Sequence, residues 1–148
     1  MGIKVNKEGN IFQINTENST YLMGIAYGKY LGHLYYGKRM EDMEGQYLLR
    51  VKEDEAGINW HRRDKITLMD SFYFEYPSWG VGDYRDPALG VRDEGGFRVC
   101  ELEYEGYEIK SGKPCLEGMP ATFEGGEAGQ KAQTLEIILR DALLGLKV

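Results

Sequence analysis

Cysteine is scarce in this chain: Cys100 and Cys115 are the only two in 148 residues. Without CxxC spacing they build neither a disulfide framework nor a thiolate metal site. A single bridge between them is allowed, but two free thiols fit the sequence better. Histidine is as rare. His33 and His61 stand alone, with no HxxxH or HExxH pattern, so no zinc site can be drawn from spacing. Long apolar runs are missing, and nothing approaches the ~20 residues of a membrane span. The opening MGIKVNKEGNIFQI lacks the apolar core of a secretory signal, and Asn6 stands where a myristoylation signal wants Ser or Thr. These absences point to the cytoplasm. Positive charge is also short: the net charge of -6 argues against a nucleic-acid partner. There is no GxSxG elbow, and GVG at 80–82 fails the dinucleotide fingerprint because Arg85 stands where the third glycine belongs. Internal repeats and low-complexity tracts are absent as well.

What is abundant is glycine (20) and tyrosine (11). Many turns and many amphipathic rings suggest an all-β sandwich or barrel, and the length suits one domain. IFQINT (11–16) alternates apolar and polar residues as a half-buried strand does. STYLMGIAY (19–27) and YLGHLYYG (30–37) form a hairpin pattern separated by Gly28 and Lys29. His33, in mid-strand, reads as a packed, hydrogen-bonded histidine rather than a base. KEDEAGINWHRRD reads as a long loop, and ITLMDSFYFEY (66–76) as a buried strand. From 96 to 110 alternation returns. Arg98, Cys100, Leu102 and Tyr104 share the face expected to turn inward, with a register shift near Gly106. The tail KAQTLEIILRDALLGLKV carries a helical stripe at Leu135, Ile138, Leu139, Ala142, Leu143 and Leu146, and propensity favours a helix. Leu135, Ile137 and Leu139 also alternate as a strand.

One stretch concentrates unusual chemistry. EYPSWGVGDYRDPAL (75–89) combines prolines, glycines, three aromatic rings, an arginine and two aspartates. Flat rings suit the apolar face of a sugar, and charged groups suit its hydroxyls. Trp79 lies in a turn, with no alternating strand to tuck its ring inward, so core and ligand platform are both open to it. Asp70, Glu75, Asp83 and Asp86 flank its aromatic loop. A retaining glycosidase needs two carboxylates about 5–5.5 Å apart, but carboxylates at this density mostly solvate a surface. Arg85 reads first as a loop brace paired with a neighbouring aspartate.

Four stretches together resemble the N-terminal region of bacterial α-galactosidases of glycoside hydrolase family 36: YLGHLYYGK (30–38), EYPSWGVGDYRDPAL (75–89), GKPCLEGMPAT (112–122) and TLEIILRDALLGLKV (134–148). They occur in the family's order and at about its spacing. The resemblance implies an N-terminal β-supersandwich, followed in full-length members by a (β/α)8 barrel with two catalytic aspartates. It implies removal of terminal α-galactose from oligosaccharides such as melibiose and raffinose, with retention and without metal or other cofactor. It also implies homo-oligomers, tetramers in many members, in which N-terminal domains help to wall the active sites. Neither nucleic acid nor membrane enters the picture.

On this resemblance, residues 1–148 are an N-terminal supersandwich portion lacking the barrel. The catalytic residues are then expected elsewhere, and the chain alone is expected to be inactive. The sheets should stop before they are complete, LEIIL should be a strand, and RDALLG should be a turn or crossover. Trp79 becomes the candidate galactoside platform. Asp83 and Arg85 match the family pattern as loop-shaping residues and, second, as sugar contacts. Asp54 is the candidate for an acidic residue sent from the preceding loop into an active site, although RVKEDEAGINWHRRD departs from the family's usual pattern there. A stand-alone, lectin-like carbohydrate-binding module is the alternative function, and a purely structural interaction domain is a third.

Overall fold

The computed structural model describes residues 2–6, 10–41, 45–49, 72–80, 86–114, 117–120 and 131–148. Within them the chain is all-β, with seven strands and one 3-10 turn at Gln46–Leu48. No helix among the described residues is long and apolar enough to cross a membrane.

The first sheet is an antiparallel meander, β1 (Gly2–Asn6), β2 (Ile11–Asn15), β3 (Ser19–Ala26) and β4 (Tyr30–Lys38), in that spatial order. Period-two alternation fixes its register. Val5 pairs with Phe12, Phe12 with Met23 and Met23 with His33, so these side chains share one face. The β3–β4 turn is closed by the Lys29 N–H donating to the Ala26 carbonyl at 2.9 Å. Its central residues are Tyr27 and Gly28, at φ 54° and 70°, one position earlier than the sequence suggests. A bulge beside Leu22/Met23 restores the alternation beyond it, setting Tyr36 opposite Tyr21. The segment read from sequence as a buried strand at 66–76 is described only from 72 onward. There it adds a single antiparallel bridge, Phe74 to Gly32, on the outer edge of β4. Gly32 permits this approach, since a Cβ there would fall 2.4 Å from the Phe72 ring.

The second sheet holds β5 (Glu103–Ser111), β6 (Gln133–Asp141) and β7 (Leu146–Lys147), all antiparallel. The register shift expected near Gly106 is present, between Tyr104 and Gly106. The tail is therefore strand–turn–strand, and the helical stripe is overruled. Leu135 and Ile137 pair across β5 with Ile109 and Tyr107, and the chain returns as β7 through a turn with Gly145 at φ 65°. Cross-strand pairing of β-branched and aromatic side chains outweighs the modest helix propensity of Leu and Ala. The alternation of 96–110 also begins later than the pattern implies. Cys100 and Leu102 are buried as expected, but the ladder starts only at Glu103.

The sheets enclose a core of Phe12, Met23, Ile25, Leu31, Cys100, Leu102 and Leu139. Phe12 meets Tyr107 edge-on at 5.2 Å, the T-shaped geometry that aromatic quadrupoles favour. Hydrogen bonds tie the layers at two places: Tyr104 N–H to the Lys29 carbonyl at 2.6 Å, and Ile3 N–H to Gln133 Oε1 at 3.0 Å.

Asp141 is the polar exception, 3% exposed. Its Oδ2 accepts the Glu101 N–H at 2.7 Å, and its Oδ1 accepts the N–H groups of Leu143 and Leu144 at 2.8 and 2.9 Å. Burial pushes the carboxyl pKa up, but the three backbone donors and the Cys100 thiol outweigh it and hold the group below its ordinary value. The unfolded chain thus binds the proton more tightly. Asp141 stabilises the fold above the ordinary aspartate range near 4, and that contribution is lost as pH falls through the depressed value. Asp141→Ala is expected to cost about 1–3 kcal/mol, the scale of buried donors left unpaired. Urea melts at pH 7 and pH 3 check this: the variant should lose less stability on acidification than the parent, and equal losses would refute it.

Candidate functional site

Residues 77–80 and 86–100 form the loop region beside the core. Ser78 makes a parallel bridge with Leu89, and the Ala88 N–H donates to the Pro77 carbonyl at 2.8 Å. Ser78 Oγ donates to the Cys100 carbonyl at 2.6 Å, while the Cys100 N–H donates to the Trp79 carbonyl at 2.9 Å. This reciprocal pair clamps the turn onto the chain entering β5. Gly80, at φ 113°, sits so close to Val99 that a Cβ would lie 2.7 Å from its Cγ1. The turn is therefore held on both sides of Trp79.

Held in this way, Trp79 remains 40% exposed. It lines a cavity of about 380 Å³ with Pro87, Gly90, Val91, Arg92 and Arg98. The volume lies within the range of about 300–1,000 Å³ typical of small-molecule sites. The two arginines come from either side of a tight reversal. The Asp93 N–H donates to the Phe97 carbonyl at 3.0 Å, and the Phe97 N–H to Asp93 Oδ1 at 2.7 Å. The walls thus combine an indole and two aliphatic side chains with two arginines, an apolar platform with hydrogen-bond donors beside it.

Of the residues picked out from sequence, Trp79 is in this cavity, while Asp54, Asp83 and Arg85 lie outside the described residues. Arg92 and Arg98 belong to no motif. The turn signal DEGG at 93–96, flanked by VR and FRV, was the clue that pairs them.

A second polar group lies on the first sheet. The Tyr21 hydroxyl donates to the Glu75 carboxylate, and His33 Nδ1 lies 3.2 Å from Glu75 Oε2 and 3.3 Å from the Tyr21 oxygen. Burial, then the hydrogen bond and charge of Glu75, raise the Tyr21 pKa, so the phenol stays protonated. The group anchors the start of the Trp79 segment to β3 and β4. His33 is the packed, hydrogen-bonded histidine its place in the strand suggests. Cys100 is a buried free thiol. Burial, then the hydrogen bond and charge of Asp141, push its pKa to about 11 against a lowering contact from Ser78. Such a thiol is inert at neutral pH. Among the described residues no cluster of three or more metal-ligating side chains occurs.

Residues 29–148 match the family model of the glycosyl hydrolase family 36 N-terminal domain. The chain belongs to that family. The α-galactosidase AgaA of Geobacillus stearothermophilus is 36% identical over 148 residues, covering 100% of this chain and 20% of that protein. The solved structure of the family 36 α-galactosidase AgaB from the same organism superposes with a TM-score of 0.83 at 37% identity, covering 99% of this chain and 20% of that one. A variant of AgaA solved in complex with raffinose gives a TM-score of 0.80 at 36% identity, over 93% of this chain and 19% of that one. This family 36 N-terminal domain thus spans about a fifth of the length of the relatives it matches.

Within the domain, the geometry makes Gly80 a test of how Trp79 is held. Gly80→Ala has to move Val99 or abandon φ 113°, and is expected to cost about 1–3 kcal/mol. Thermal melting combined with acrylamide quenching of Trp79, in a Trp60→Phe background, checks it. An unchanged melt with unchanged quenching would show that the turn is not clamped as described.

Proposed function

We propose that this domain serves an α-galactosidase acting on terminal α-galactosyl residues of melibiose- or raffinose-type oligosaccharides, as a non-catalytic wall of the substrate cleft. The observation that carries the reading is the clamped, half-exposed Trp79 lining a cavity of sugar-binding size. Family membership and the raffinose complex of AgaA support the substrate class. Hydrolysis itself falls to the part of such an enzyme corresponding to what this domain does not span in its relatives, so the 148 residues alone should not turn over an aryl α-galactoside. Asp83 and Arg85 are assigned to shaping the loop that follows Trp79, with sugar contact as their second role, and Asp54 to reaching an active site.

A rigid aromatic wall acts through remote sugar units: binding them positions the scissile bond. The domain is also assigned a part in subunit contacts within a homo-oligomer. Exposed Tyr36, Tyr47, Tyr73 and Phe97 support this, since aromatic side chains are enriched at such interfaces. The alternative of a stand-alone carbohydrate-binding module draws on the same cavity, whose described lining lies wholly within this chain.

Trp79→Ala in the complete enzyme is expected to raise KM for raffinose with kcat less affected, a loss of about 1–3 kcal/mol in kcat/KM. Unchanged kinetics would sink the platform assignment. Calorimetric titration of the isolated chain with raffinose separates the two readings. Affinity equal to that of the complete enzyme favours the module, whereas binding that requires the rest of the enzyme favours the cleft wall.

A further inference from the structure

Arg92 and Arg98 line one cavity, and among the described residues neither guanidinium forms a hydrogen bond or an ion pair. Several cations elsewhere on the domain are paired. Lys29 lies 2.8 Å from Glu103, Lys110 2.6 Å from Glu136, and Arg140 and Lys147 share Glu105 at 3.3 and 2.9 Å. The acidic neighbour of Arg92 in the chain, Asp93, turns its Oδ1 to the Phe97 N–H instead. Among the described residues, a chain of net charge -6 thus places two cations without an ion pair in the cavity that also holds Trp79. Hydroxyls of a neutral sugar satisfy guanidinium donors but leave that charge uncompensated.

We propose that this cavity takes a saccharide carrying an anionic group, a carboxylate or a phosphate, with its ring against Trp79 and its acid on Arg92 and Arg98. The proposal rests on the reading of Trp79 as a sugar platform and adds a ligand class to it. The planar guanidinium fork matches the paired oxygens of either acid and gives hydrogen bonds stronger than those to hydroxyls. Low-dielectric walls from Trp79, Pro87 and Val91 strengthen the attraction, which still weakens with salt because the cavity is open to solvent.

Two matched pairs test it on the 148-residue chain, followed by NMR shifts of the Trp79 indole. Melibionate and melibiitol are open-chain galactosides that differ in one carboxylate; galactose 6-phosphate and galactose differ in one phosphate. The anionic member of at least one pair is expected to bind about tenfold more tightly at low salt, the scale of one charge-assisted hydrogen bond. The advantage should shrink at about 0.3 M salt. Which pair shows it identifies the acid. In the R92Q/R98Q double variant, two exposed positions whose change should leave the melting temperature alone, the advantage should vanish, the two members of each pair then binding equally. Trp79→Ala should weaken both members of a pair.

Equal affinity within both pairs, with Trp79 still needed, overturns the anionic preference and leaves a neutral sugar platform. A preference that survives in R92Q/R98Q overturns the assignment to these arginines. Inorganic phosphate binding as tightly as the anionic sugars, with no effect of Trp79→Ala, overturns the saccharide and the platform reading together. The absence of binding by all four sugars overturns the proposal for this chain and leaves the cleft-wall reading, in which binding requires the rest of the enzyme, standing.

Discussion

The buried carboxylate of Asp141 is where the parts of this domain are joined. It closes the turn after β6 through Leu143 and Leu144, and it holds Glu101, where the chain enters β5. Next to Glu101 is Cys100, whose backbone makes the reciprocal hydrogen bonds with Ser78 and Trp79. One side chain therefore connects the β6–β7 corner, the start of β5 and the Trp79 turn. A buried charge is tolerated only with enough donors, and three backbone N–H groups meet that condition.

This arrangement explains why an indole can stay half-exposed without collapsing onto the core. Ser78 and Cys100 hold the turn by hydrogen bonds, Val99 packs against Gly80, and Glu75 ties the segment leading into it to Tyr21 and His33. A ring fixed in this way loses little further freedom when a ligand stacks on it, and such preorganisation turns apolar contact into affinity. Under the proposed function, a domain spanning a fifth of its relatives' length serves catalysis in this sense, by holding shape.

Much of the fold was legible because period-two alternation is a direct reading of which face is buried. β2, the β3–β4 hairpin and the shift at Gly106 follow from it. The tail was ambiguous because LEIILRDALLG satisfies both periods, and only the family resemblance pointed to strand and turn. Its decisive residue, Asp141, works through contacts with Glu101, forty positions away, that no local pattern reveals. β1 escaped notice although Ile3 and Val5 alternate with Lys4 and Asn6, because five residues carry too little pattern to separate from a polar terminus. Residues 96–102 alternate without forming a ladder, since the backbone of Gly96 and Phe97 bonds to Asp93, that of Cys100 to the Trp79 turn and that of Glu101 to Asp141. At the site, Trp79 stood out by its chemistry. Arg92 and Arg98 did not, because their significance depends on a reversal that brings two ordinary surface arginines to one cavity.

The central claim, that the clamped turn displays Trp79 to a sugar, is tested most directly by a crystal structure of the complete enzyme bearing this domain with raffinose bound. The account predicts a sugar ring stacked on the Trp79 indole at ordinary contact distance, about 4 Å, with the Ser78–Cys100 hydrogen bond intact. Raffinose bound with Trp79 packed into a protein interface, away from every sugar ring, would contradict it.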